Sequence, residues 1–168
     1  MCNNPAMGKI PFLSAEQAWT RIMHYCNYRE RCHFEVKQRL FALGSTKKDV
    51  ELLVVRLIEE NLLNEERYAK EFARGHFRQK NWGKLRIIQA LRLKKVSEPL
   101  IRMALNELES GDYTASLQKL AAAKWASLKK EQYINRQAKT GAYLLRKGFE
   151  PAAVHQAIRE LRQGQKDK

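Results

Sequence analysis

The sequence predicts an all-α fold of tandem three-helix repeats, about nine helices in an elongated curved array, and three observations carry that prediction. The first is an apolar register that recurs three times. With Gly44, Lys95 and Gly148 as equivalent points, a leucine lies four residues before each (Leu40, Leu91, Leu144) and an aliphatic residue six after (Val50, Ile101, Val154). Further aliphatics lie ten after (Val54, Leu105, Ile158) and leucines thirteen after (Leu57, Leu108, Leu161). The offsets between copies are 51 and 53 residues, a period expected of stacked helical units that cannot bury their apolar faces alone. The second observation is that no stretch alternates apolar and polar residues as a half-buried strand would. The third is composition: 30% of the 168 residues are charged, while only 8 are Gly and 4 are Pro, a balance that favours helices over turn-rich β structure.

The elements follow in order. Residues 1–13, broken by Pro5 and Pro11, read as a flexible N-terminal tail. Repeat 1 spans 14–62. Ser14 caps its first helix, with Gln17 completing a capping box, and Ala15, Ala18, Trp19, Ile22 and Cys26 recur at helical spacing. A second helix carries Val36, Leu40 and Leu43 and stops at Gly44, where a left-handed cap suits glycine. Thr46 and Asp49 start the third, with the stripe Val50, Leu53, Val54, Leu57 and Ile58. Repeat 2 spans 63–110. Asn64, Glu65 and Glu66 suit a helix N-terminus, and Tyr68, Phe72 and Ala73 face inward. Trp82 and Gly83 open the next helix, with Ile87, Ile88 and Leu91, and Ser97 and Pro99 start the last. Repeat 3 spans 111–162, with Leu117, Ala121, Trp125 and Leu128 on one helix. Ile134, Ala138, Ala142 and Leu145 form the core stripe of the next, and Pro151 opens a final helix after Gly148. Residues 163–168 read as a flexible C-terminal tail.

The net charge of +14 suits nucleic acid, a nucleoprotein or an acidic protein surface. Three cysteines, Cys2, Cys26 and Cys32, argue against a disulfide framework. Residues 1–13 lack the layout of a signal peptide, and no run approaches the ~18 apolar residues of a membrane span. A cytoplasmic protein with no membrane association is expected.

Catalytic and cofactor chemistry finds little support. His24, Cys26, Cys32 and His33 are all metal-ligand types. However, His24 and Cys26 point to opposite sides of a helix, and Cys32 and His33 are adjacent, unlike the spaced pairs of structural zinc. His76 and His155 are isolated, and no nucleophile elbow or phosphate loop occurs. We therefore expect no enzyme, no metal and no cofactor.

The stronger signal is a basic cluster. Between Arg67 and Lys95 lie ten basic residues and one acidic residue, Glu71. Arg67, Lys70, Arg74 and Arg78 share one helical face opposite the apolar stripe, and Lys84 and Arg86 follow, with Trp82 among them. Lys124, Lys130, Arg146 and Lys147 belong to a second set. Opposite charges normally intersperse on a merely solvated face; here they hardly do, so these ten side chains are the candidate contacts to carboxylate or phosphate. Reversing Arg67, Arg74 and Arg78 to Glu is expected to weaken binding without unfolding the chain. The helix after each Gly44-type turn is not basic. In the first copy Lys47, Lys48 and Arg56 oppose Asp49, Glu51, Glu59 and Glu60, which disfavours insertion of that helix into the major groove.

Leu63-Asn64-Glu65-Glu66-Arg67-Tyr68-Ala69, followed by Lys80-x-x-Gly83-x-x-Arg86-Ile87, resembles segments of the RecX regulators of the RecA recombinase. Arg31-x-x-x-Glu35-Val36-x-x-Arg39-Leu40 and Leu144-x-Arg146-Lys147-Gly148-Phe149 resemble two more, and the resemblance covers residues 15–162. Lys95 stands where the family usually has glycine. A left-handed cap there costs on the order of 1 kcal/mol, so this turn is expected to end differently. The resemblance implies a monomer that binds the RecA–DNA filament along its groove and reduces ATP hydrolysis, strand exchange and repressor cleavage. Single-stranded DNA, and double-stranded DNA without sequence preference, are the implied nucleic-acid partners. A general nucleic-acid-binding protein and an adaptor for an unrelated acidic protein remain alternatives.

Overall fold

The computed structural model describes residues 13–108 and 110–166. The expected N-terminal tail lies outside the described residues apart from Leu13. Among the described residues there are nine α-helices and no strand. They are α1 (Ala15–Tyr28), α2 (His33–Ala42), α3 (Lys47–Glu59), α4 (Glu65–Lys80), α5 (Lys84–Leu93), α6 (Glu98–Asn106), α7 (Ser110–Ser127), α8 (Tyr133–Lys147) and α9 (Pro151–Lys166). The chain divides into two compact units, residues 1–68 and 69–168, so the boundary falls within α4.

Local chemistry sets the helix ends. Ser14 and Gln17 form a capping box at α1, and Thr46 and Asp49 form another at α3. Pro99 lies in the first turn of α6, where the missing N–H would have had no helical partner. Left-handed residues stop several helices: Gly44 after α2 (φ 84°), Asn61 after α3 (φ 55°), Asn81 after α4 (φ 52°) and Gly148 after α8 (φ 90°). Lys95 corrects one expectation. Its φ is 59°, so the turn after α5 ends as the glycine turns do, with Val96 N–H donating to Leu91 C=O at 3.2 Å. The non-glycine cap is strained by about 1 kcal/mol. Lys95→Gly is therefore expected to raise stability by about 0.5–1 kcal/mol, part of the relief being lost to glycine's freedom in the unfolded chain; chemical denaturation of the two proteins would measure it.

The repeated register is the core. Leu40, Leu91 and Leu144 are fully buried, as are Val50, Ile101 and Val154 nearly so. In the first unit α1, α2 and α3 close around Trp19, Ile22, Leu40 and Leu57. In the second, Phe77 stacks on Tyr113 with ring centroids 5.7 Å apart, and Phe149 packs tilted against Tyr113 at 5.3 Å.

Three expectations fail in detail. Ala15 and Ile58 are exposed, each at the edge of an apolar arc wider than its neighbours can cover. Residues 163–166 are helical, because α9 runs on to Lys166; Gln and Lys sustain a helix, and one glycine costs only about 1 kcal/mol. On α8 the predicted stripe lies outside. Ile134, Ala138, Ala142 and Leu145 are exposed, and the buried face carries Thr140 and Leu144 instead. Leu144 is the position the threefold register marks, and that register wins over the longer local run of apolar residues.

Candidate partner-binding surface

The most distinctive segment of the sequence, Leu63 to Ala69, builds a latch inside the first unit. The Asn64 side chain accepts the Arg67 N–H at 2.9 Å and caps α4. Glu65 reaches back to the start of α2, accepting the His33 N–H at 3.3 Å. Arg67 Nε donates to Glu30 Oε1 at 2.6 Å, and its two terminal nitrogens donate to the Asn61 side chain (3.1 Å) and backbone carbonyl (3.0 Å). The guanidinium fork thus holds the left-handed Asn61 turn to the end of α1. Glu30 Oε2 is buried without a hydrogen bond from a described residue, and Arg67 compensates that carboxylate through Oε1. Removing one partner of such a pair leaves a desolvated charge. Arg67→Ala is expected to destabilise the first unit by about 2 kcal/mol, read as a lower denaturation midpoint. Reversal to Glu would set a second carboxylate against Glu30, so the expectation that this position can be reversed without structural cost does not survive.

The rest of the α4 stripe is also partly neutralised. Glu107, at the end of α6, lies 2.7 Å from Lys70 and 3.3 Å from Arg74. Hydrogen bonding from Lys70, reinforced by Arg74, holds the Glu107 carboxyl below its ordinary range. Arg74 also meets Glu71 at 3.3 Å, Arg92 meets Glu98 at 2.6 Å, and Lys139 meets Glu131 at 2.5 Å. The basic window therefore looks barer in sequence than in space, because Glu98 and Glu107, both outside it, fold onto its cations.

A seam within the second unit gathers much of the remaining charge. The loop after α4 meets the turn after α8: Gly83 N–H donates to Lys147 C=O at 2.8 Å, and Leu85 N–H donates to Gly148 C=O at 3.0 Å. Lys147 Nζ returns a bond to Lys80 C=O at 3.0 Å, and Arg86 donates to Arg146 C=O at 3.3 Å. The ends of α4 and α8, with their outward carbonyls, are thus brought together under cations that suit the negative helix poles. Half-buried Trp82 sits among them, its ring 4.3 Å from the Arg86 guanidinium and 5.4 Å from Lys80 Nζ. His76 packs on Trp82 at 4.5 Å. Burial, assisted by Lys80 and Arg86, lowers the His76 pKa against the opposing bond to Phe72 C=O, so the ring tends to stay neutral. Beneath the seam the Tyr113 hydroxyl accepts the Lys84 N–H at 3.0 Å and donates to Glu150. Burial raises the Tyr113 pKa, and Glu150 adds to it.

Of the ten candidate residues, Lys84, Arg86, Arg146 and Lys147 meet at this seam. Lys124 shares the Tyr143 ring with Lys147, at 5.6 Å and 5.9 Å. The side chains of Arg78, Lys130 and Arg146 make no ion pair or hydrogen bond to a described residue. Sequence reasoning left Lys80 out of the candidate set and called His76 isolated. The Lys80-x-x-Gly83-x-x-Arg86 spacing was the available signal, since all three positions touch the α8 end. The cysteine–histidine set is dispersed. Cys26 is a core residue whose thiol burial pushes up to about 11, Cys32 is buried, and His24 is exposed.

Family models for the second and third three-helix domains of RecX match residues 64–105 and 112–158. The chain belongs to the RecX family. Among curated relatives, the regulatory protein RecX of Vibrio parahaemolyticus serotype O3:K6 is 34% identical over 116 residues, covering 69% of this chain and 71% of that one. That of Pelodictyon phaeoclathratiforme is 28% identical over 148 residues, covering 88% and 91%. The crystal structure of RecX from Lactobacillus salivarius superposes with a TM-score of 0.80 at 23% identity, over 89% of this chain and 97% of that one. It shares the all-α helical repeat fold. The residues that gave the RecX resemblance are therefore chiefly latch and seam residues: they fix helices to one another, and the seam carries cations as a consequence. No helix among the described residues is long and apolar enough to cross a membrane.

Proposed function

We propose that this RecX family protein binds the RecA–DNA filament and lowers the recombinase's activities, acting as a cytoplasmic monomer without catalysis or a cofactor. The observation that carries this reading is the cationic seam. Lys80, Arg86, Arg146 and Lys147 converge where two helix ends meet, and the side chains of Arg78 and Arg146 make no ion pair with a described residue. Such a cluster suits filament carboxylates and DNA phosphates, each contact a charge-assisted hydrogen bond. Contacts distributed over several three-helix repeats would act as linked sites with high effective concentration. DNA contact in this reading is to backbone phosphate, on either single or double strands, without base reading.

The test is a DNA-dependent ATPase assay of RecA with this protein titrated in. ATP hydrolysis should fall with added protein, and binding to RecA-coated DNA should exceed binding to bare DNA at the same salt. Equal affinity for bare and coated DNA, with ATP hydrolysis unchanged, would instead favour a general nucleic-acid-binding protein.

A further inference from the structure

The fold leaves the apolar stripe of α8 uncovered. We propose that this stripe receives an acidic amphipathic helix of the filament's protein component, an inference that rests on the filament reading above. Ile134 is 78% exposed and Leu145 is 47% exposed, and between them Ala138, Gly141 and Ala142 keep the floor low. With Val154, His155 and Ile158 of α9 they line an open apolar groove. From Ile134 to Leu145 the floor runs on the order of 16 Å, three turns of helix. Leu145 also lines a second depression, shared with Leu85, Arg86 and Gln89 of α5 and with Arg146. The two depressions thus continue through one side chain. Leu93, 72% exposed, lies four residues beyond Gln89 on the same face of α5.

A stripe at helical spacing with small residues at its centre suits a helix laid into a groove, its aliphatic anchors meeting Ile134 and Leu145. The rim decides the chemistry of the occupant. Arg86 and Arg146 stand at one end. At the other, the Arg162 guanidinium lies 5.9 Å from the Tyr133 ring at the start of α8. Arg159 lies four residues after His155 and one after Ile158 on α9. Among the described residues no carboxylate lines either depression. A basic or neutral helix would find no counter-charge there, while an acidic one would find it at both ends.

The test uses the full chain. Ala142 is exposed, so Ala142→Glu fills and charges the groove without disturbing the core. A second variant, Ile134→Ser with Leu145→Ser, removes the anchors and leaves the charge unchanged. Each protein is assayed for RecA ATPase inhibition, for binding to bare single-stranded DNA and for mass by sedimentation velocity. Both variants should raise the half-inhibitory concentration about tenfold or more, with bare-DNA binding and mass as in the wild type. Inhibition by either variant equal to wild type overturns the proposal, as does a parallel loss of bare-DNA binding, which would place phosphate on this surface. A wild-type dimer that Ala142→Glu converts to monomer overturns it in favour of a second copy of this chain. If the wild-type protein itself fails to inhibit RecA, the filament reading falls first and the groove loses its named partner.

Discussion

Gly83→Ala should destabilise the unit of residues 69–168 by about 3 kcal/mol or more and lower its thermal midpoint by more than about 10 °C. Gly83 has ordinary backbone angles, φ −76° and ψ 166°, so any residue could adopt its conformation. The obstacle is space. A Cβ there would lie 2.2 Å from Gly148 O and 2.3 Å from Phe149 N, and both are backbone atoms that cannot rotate away. Relief requires the start of α5 to move from the end of α8. That movement lengthens the bonds from Gly83 N–H to Lys147 C=O and from Leu85 N–H to Gly148 C=O. Each bond contributes about 1 kcal/mol, and a buried group left unpaired costs about 1–3 kcal/mol more. Gly148 faces the reciprocal constraint: a Cβ there would lie 2.3 Å from Arg86 Cβ, and its φ of 90° is left-handed as well. Gly75, inside α4 with nothing within 4 Å of a Cβ, is the control. Gly75→Ala should stabilise by about 0.5–1 kcal/mol, as expected in an open helix interior. A Gly83→Ala protein as stable as Gly75→Ala would show that the seam is not closely packed.

What was legible in the sequence was local or periodic. Ser14 with Gln17 and Thr46 with Asp49 announced helix starts, because a capping box closes within four residues. Leu40, Leu91 and Leu144 announced buried positions, because each repeat buries the same face against its own neighbours. The misread charges have one physical cause, which is pairing across long sequence separation. Glu107 neutralises Lys70 and Arg74 from more than thirty residues away, and Glu30 holds Arg67 from a similar distance. Neither can be seen in a helical wheel of α4. The α8 error is of another kind. Ile134, Ala138, Ala142 and Leu145 make a regular apolar stripe, but periodicity shows only that a face is apolar, not that the fold supplies something to cover it. Lys95 illustrates the reverse. Propensity argued against a left-handed lysine, and the surrounding helices impose the conformation at a modest strain.

Reversal of two cations that pair with no described residue should have the largest functional effect. Arg78 lies in the last turn of α4 and Arg146 in the last turn of α8, both exposed, and neither side chain is bonded within the described molecule. Arg78→Glu combined with Arg146→Glu changes the local charge by four units. At contact distance in water each unit contributes about 1 kcal/mol, so the half-inhibitory concentration against RecA should rise on the order of 1,000-fold at low salt. The comparison pair is Lys70→Ala with Arg74→Ala, whose charges Glu107 and Glu71 already offset; there the rise should stay below about threefold, as for exposed ion pairs. The gap between the two pairs should narrow as salt is raised from about 50 to 200 mM, because exposed charges are screened over a shorter distance. The reversed protein loses favourable cations at two helix ends, on the order of 0.3–1 kcal/mol each, so it should remain folded by circular dichroism. Equal inhibition by the two variant pairs would sink the assignment. Charge in the last turns of α4 and α8 would then be no different from charge already neutralised within the chain.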